Sequence, residues 1–213
     1  MSLAGRNLFK DKTRLALSVG GVALAVMLIL LLNGLLNGMY AQISAYLDHA
    51  PGSVVVAQDG VSNLLGATSL LPAGTASIVK GQGASRVAPI LSQFVILDLH
   101  DKKAPVYLVG YDGDLGGGPW RLAAGREPRR DREVVFDSVL AQRHGLALGD
   151  EVEIMDREYR LVGLSEGTTS WMTSFIFIRK TAAETLLGVP SGAASFLLVT
   201  PRTGLRLKGC TCG

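Results

Sequence analysis

Residues 15–36 carry no charged side chain, and Arg6, Lys10, Lys12 and Arg14 stand just ahead of them. At about 1.5 Å of rise per helical residue, such a run covers the ~30 Å hydrocarbon core of a bilayer as one helix. Basic flanks stay on the cytoplasmic side, which places everything after Asp48 outside the cytoplasm. A cleavable signal sequence is the rival explanation. Its apolar region is shorter, typically ~7–15 residues, and no convincing Ala-x-Ala site follows here, so an uncleaved anchor is expected.

Behind the anchor, roughly 165 residues remain, enough for one globular domain or two small interlocked subdomains. The formal net charge of +3 is carried by the two ends, because residues 15–201 are net −3. That balance gives no support to nucleic acid as a partner. Cys210 and Cys212 are the chain's two cysteines, both at its C-terminal end. The body of the domain therefore holds together by its apolar core, and two thiols do not complete a tetrahedral metal site.

Apolar positions continue past the membrane run at Leu36, Met39 or Tyr40, Ile43, and Tyr46 or Leu47, until Pro51 and Gly52 end the pattern. The spacing predicts one helix over 15–50, a span continued as a stalk. Its stripe of Leu36, Tyr40, Ile43 and Leu47 needs a second helix to cover it. Gly34 and Gly38 form a small-xxx-small face that lets such a helix approach, although small residues are equally ordinary at a membrane exit. Beyond Gly52 the texture changes to short β-type runs. Strand 53–58, helix 73–80 and a hairpin of 86–99 with 104–111, turning at His100, Asp101 and Lys102, give a β-α-β-β order. A mobile glycine loop at 112–120 and a charged connection at 121–132 follow. Next come strand 133–136, helix 138–144, a Gly149-Asp150 turn, strands 151–155, 158–163 and 174–178, helix 181–187 and strand 194–200. The fold class is α+β.

Residues 163–167 spell the G-x-S-x-G string of a hydrolase elbow around Ser165. The segment after it is a poor helix former, and all three histidines, His49, His100 and His144, precede the serine, against the chain order of that fold. Asp98, His100 and Asp101 read as a solvated hairpin turn rather than a metal or proton-transfer site, and His144 as a helix-end donor to unpaired carbonyls. No P-loop or dinucleotide fingerprint is present, so any energy must come from another subunit. The chain is expected to be no enzyme and to need no cofactor. Trp171 and Met172, in a loop, are candidates for partner contact, and Trp120 is a similar candidate for which packing between subdomains is preferred.

These segments in order resemble the MacB-like, or FtsX-like, family of ABC transporter permeases. The resemblance rests on Arg6-Asn7-Leu8 and Lys12-Thr13-Arg14 before the span. It then rests on Gly125-Arg126, Glu133-Val134-Val135, Leu140-Ala141, Gly145-Leu146, Leu148-Gly149-Asp150, Val152, Ile154 and Leu161-Val162-Gly163. It implies a cytoplasmic lead-in (1–14), a span with stalk (15–50), and a membrane-proximal periplasmic α+β subdomain (52–125 and 181–200). An inserted β-rich subdomain (126–180) and an irregular tail (201–213) complete the expected organisation. It also implies a bacterial inner-membrane permease that pairs with a second copy or second permease subunit and binds a cytoplasmic P-loop ATPase, with Arg6, Lys10, Lys12 and Arg14 on the ATPase side. A periplasmic adaptor is a possible further partner. In the family, ATP-driven motion passes to the outer domain for export or for lipoprotein and peptide handling. Family members continue into further spans, so the resemblance implies a truncated product. The alternative is a single-span, membrane-anchored binding or assembly module without transport.

Overall fold

The computed structural model of the protein describes residues 12–49, 52, 54–61, 69–100, 102–169 and 173–202, with the backbone alone for 12 and 39–48. The chain forms two compact units, Met1–Ser44 and Ala45–Gly213.

The first unit is built on helix α1, Lys12–His49, whose last residues belong to the second unit. The helix is unbroken for 38 residues, close to the expected 15–50 but starting three residues earlier. Its segment Thr13–Gly38 is long and apolar enough to cross a membrane. Large apolar side chains are exposed around it, such as Leu24 at 70% and Leu30 at 67%, as befits a helix solvated by hydrocarbon.

In the second unit, the described residues form nine strands and three short helices. In chain order these are β1 (Val54–Val56), α2 (Thr75–Gly81), β2 (Ala84–Leu99), β3 (Lys102–Tyr111), β4 (Leu122–Gly125), β5 (Glu133–Asp137), α3 (Ser138–His144), β6 (Glu151–Ile154), β7 (Arg157–Ser165), β8 (Ser174–Arg179), α4 (Lys180–Leu187) and β9 (Phe196–Pro201). The strands join in the order β1-β9-β2-β3-β8-β5-β7-β4, with β6 added beside β7. The sheet is mixed: β3 with β8 and β5 with β7 are parallel, and the remaining pairs are antiparallel. Segment 126–180 shares this sheet, since β8 hydrogen-bonds to both β3 and β5.

Strand β2 joins the two ends of the sheet. Its residues 84–90 pair with β9 and its residues 91–99 with β3. The reading from sequence divided this region into the same elements but began the strand two residues late. Two segments depart from expectation. The connection at 121–132 contains β4, because Gly125 (φ 76°) lies opposite Gly163 and lets two backbones meet where a side chain would not fit. The glycine segment after Tyr111 folds into a turn on Asp112, whose carbonyl accepts the Leu115 and Gly116 amides at 3.0 and 2.9 Å.

Burial on both faces explains the apolar runs of the central strands. Along β8, Ile176 and Ile178 enter a core with Val106, Leu108, Val134, Phe136 and Leu161 that α3 and α4 cover. Phe175 and Phe177 point the other way, into a core with Val109, Tyr111, Val135, Phe196 and Leu198. A third core lies where α2 packs on β1, β2 and β9 through Val79, Val87, Leu197 and Val199.

The helices stop where their caps say they should. Asp137 accepts the Val139 and Leu140 amides at 2.9 and 3.1 Å to begin α3, and Gly145 ends it at φ 66°. Helix α4 is tied to the following loop by Glu184, which is 8% exposed and accepts from Lys180, Ser191 Oγ and the Gly192 amide. The β6–β7 turn uses Met155 (φ 49°) and Asp156 (φ 61°), both left-handed, as a two-residue hairpin of this hand requires. Helix α4 sits close over β3 because Gly110 has no side chain: a Cβ there would clash with that of Ala183. Gly110→Ala is expected to destabilise the fold by about 1–3 kcal/mol through overpacking, read as a lowered urea midpoint.

Candidate functional site

Of the residues singled out for helix pairing, Gly34, Leu36 and Gly38 lie on the exposed surface of α1. A Cβ at either glycine would meet nothing within 4 Å. Tyr40, Ile43 and Leu47 lie on the same helix, but their side chains fall outside the described residues, as does that of Lys12. Arg14 is exposed; Arg6, Lys10, Trp171 and Met172 lie outside the described residues.

Trp120 is half-buried against the core of Phe177, Val135 and Phe196, and its indole stacks on the His49 ring at 4.8 Å and 18°. The last residue of α1 is thereby fastened to the segment after the glycine turn. That segment is itself fastened: Gly118 lies against the Tyr111 ring, and the Tyr111 hydroxyl donates to Glu127 at 2.8 Å. Aromatic stacking and burial account for Trp120 without an exposed patch.

Ser165 ends β7 and is fully buried. Its hydroxyl contacts Phe136 O at 3.2 Å and Thr168 Oγ1 at 2.6 Å, while Thr168 Oγ1 donates to Asp137 Oδ2 at 2.6 Å. Thr169 Oγ1 donates to Asp137 Oδ1. The G-x-S-x-G string thus serves a buried network that satisfies the Asp137 carboxylate with hydroxyls and helix amides and ties Thr168 and Thr169 to the start of α3. The carbonyl at the end of α3 is met by His100 rather than by the His144 side chain: His100 Nδ1 lies 3.1 Å from His144 O, while His144 Nδ1 is buried without a hydrogen-bond partner among the described residues, against the expectation that His144 would serve the helix end. Among the described residues no group of three or more His, Cys, Asp or Glu could hold a metal ion.

The concentrated chemistry lies elsewhere, in a cleft of about 520 Å³ lined by Arg126, Arg129, Arg130, Glu133, Leu148, Gly149, Arg160, Leu161 and Val162. Glu133 opens β5 and is 7% exposed. Arg126 grips it with two parallel bonds, each 2.7 Å, and the Arg129 and Arg130 amides donate to the same carboxylate at 2.7 and 3.2 Å. Bidentate guanidinium pairing of this kind is the strong form of an ion pair. The Arg126 bond pulls the Glu133 carboxyl down to about 2, burial opposes it, and the two amides assist. Arg126 reaches this position because its backbone lies against Gly163, where a Cβ would clash with Arg126 O. Sequence reading took 121–132 as charged connecting sequence and missed the cleft. The available signal was the density of arginines ahead of a glutamate that begins an apolar strand.

The family model for the MacB-like periplasmic core domain matches residues 15–208. No curated protein matches the chain. Among solved structures, the chain is similar to the extracellular domain of YknZ, a noncanonic ABC-type transporter from Gram-positive bacteria. The TM-score is 0.52 and the identity 14%, over 70% of this chain and 83% of that one. It is similar also to the periplasmic region of MacB from Actinobacillus actinomycetemcomitans, with TM-score 0.52 and 16% identity, over 71% of this chain and 75% of that one. At these identities the likeness is one of fold.

Two outcomes follow from the buried carboxylates. A group whose pKa is depressed on folding stabilises above its unfolded pKa and loses that contribution as pH falls through its folded value. Glu133 therefore contributes fully above about 4.5 and loses its effect on approach to about 2. Arg126→Gln should lower the urea midpoint at neutral pH, with the gap to wild type closing across that acid window. Asp137→Ala removes the α3 cap and the acceptor of Thr168, which is buried, and of Thr169, which is partly so. It should cost about 2–4 kcal/mol and speed amide exchange in α3 and at Thr168 and Thr169.

Proposed function

Because the chain belongs to the family of MacB-like periplasmic core domains, we propose that it acts as the permease component of an ABC transporter of that kind. In this reading α1 crosses the cytoplasmic membrane with Lys12 and Arg14 on the inner side, and the second unit stands outside. A P-loop ATPase binds the inner face. The energy of nucleotide hydrolysis enters as movement of α1 and leaves as rearrangement of the outer unit on cargo or partner. The chain itself breaks no bonds.

The observation that supports the reading is the continuity of α1. It has no proline over its 38 residues, and its last residue, His49, stacks on Trp120. At about 1.5 Å per residue, the candidate span is roughly 39 Å long, more than the ~30 Å of hydrocarbon, and some 17 Å of helix follows it. A helix without a flexible break passes displacement along its axis rather than absorbing it. The small-residue face at Gly34 and Gly38 would admit a second helix, from another copy or a second permease subunit, over the apolar stripe.

Co-purification of the membrane-embedded chain with a cytoplasmic P-loop ATPase is the expected result, lost when Lys12 and Arg14 are both changed to Glu. Protease added outside intact cells should cut within the second unit. Protection of that unit, or failure to retain any ATPase, would overturn the reading.

A further inference from the structure

We propose that the arginine-lined cleft between the β4–β5 connection and the α3–β6 turn binds a molecule carrying a phosphate group. The argument starts from charge. The cleft presents Arg126, Arg129, Arg130 and Arg160 against one carboxylate, Glu133, and that carboxylate is fully engaged by Arg126 and two backbone amides. The side chains of Arg129, Arg130 and Arg160 make no ion pair among the described residues.

The neighbouring acids are occupied elsewhere. Asp131 faces Arg179 at 3.4 Å and Thr181 at 2.7 Å, Glu127 accepts from Tyr111, and Asp150 accepts the Ala147 amide at 2.8 Å. Glu151 stands opposite Arg160 in the β6–β7 register without closing to an ion pair. With four arginines to one fully engaged carboxylate in its lining, the cleft has an excess of positive charge that a dianion placed there would balance.

The frame under these arginines is fixed while their tips are open. Glu133 holds the 129–130 backbone by its amides, and the opposite wall is pinned where Gly149 N donates to Leu161 O at 2.7 Å and Leu161 N to Asp150 O at 2.8 Å. A held backbone carrying forked donors suits the tetrahedral, multiply accepting geometry of a phosphate. The volume of about 520 Å³ exceeds what a lone phosphate fills, and Leu148, an exposed leucine in the lining, offers apolar surface to the rest of the molecule. A phosphate ester with a small organic body fits both features. That chemistry is shared by soluble phosphate monoesters and by the headgroup of an anionic lipid.

The test uses the full chain in phosphatidylcholine nanodiscs, titrated calorimetrically with glycerol 3-phosphate and, separately, with monomeric dihexanoyl phosphatidic acid. Saturable binding of at least one probe is expected, weakening as salt rises. Tighter binding of the phosphatidic acid assigns a lipid source, and equal binding a soluble one. Arg129→Gln/Arg130→Gln/Arg160→Gln should weaken binding by about 100-fold and Arg160→Gln alone by about tenfold, whereas Arg86→Gln, outside the cleft, should leave it unchanged. Failure of the wild-type chain to bind either probe would overturn the proposal. So would wild-type affinity in the folded Arg160→Gln or triple variant.

Discussion

The bidentate pair between Arg126 and Glu133 holds together three parts of the second unit that sequence separates. Glu133 begins the central strand β5, Arg126 follows the edge strand β4, and the amides of Arg129 and Arg130 close the connection between them. A nearly buried carboxylate is costly unless its lone pairs are satisfied, and here four donors meet it. The glycines at 125 and 163 belong to the same arrangement, since they permit the backbone approach that brings Arg126 within reach. Much of the motif that marks the family in sequence, Gly125-Arg126, Glu133 and Gly163, thus has one physical explanation.

The second unit's elements were largely legible because their patterns are local. Apolar alternation and the runs of β5 and β8 gave strands, Asp137 and Gly145 bracket α3, and a continuous uncharged run gave α1. What escaped was non-local. Strand β4 has a weak Leu-Ala-Ala-Gly sequence and exists because a glycine, Gly163, waits opposite Gly125 in β7. The turn between β6 and β7 was read at 156–157, one residue late, because Met155 and Asp156 lack the Asn-Gly or Asp-Gly signal that announces left-handed hairpins. The arginine cleft was hidden for the same reason: Arg160 joins Arg126, Arg129 and Arg130 through sheet pairing alone.

Serine 165 and tryptophan 120 show how a string of letters and a place in the fold differ. Ser165 sits in a catalytic-looking pentapeptide, yet its hydroxyl is spent on holding Thr168 and the end of β5 together. Trp120 follows a glycine-rich turn, yet its ring is engaged by His49 and the aromatic core. In both cases burial and hydrogen-bond accounting decide the role.

Strand β9 lies between β1 and β2, although it comes last among the described elements. The core beneath α3 and α4 draws on residues 91–189 and needs nothing from β9. The other two cores take Phe196, Leu198, Leu197 and Val199 from it. A nascent chain can therefore consolidate its middle first, while β1 and the first half of β2 wait with open edges until the last strand emerges from the ribosome or translocon. Long-range closure of that sort is slow and leaves unpaired strand exposed. Maturation of the second unit would accordingly be limited by insertion of a single six-residue segment.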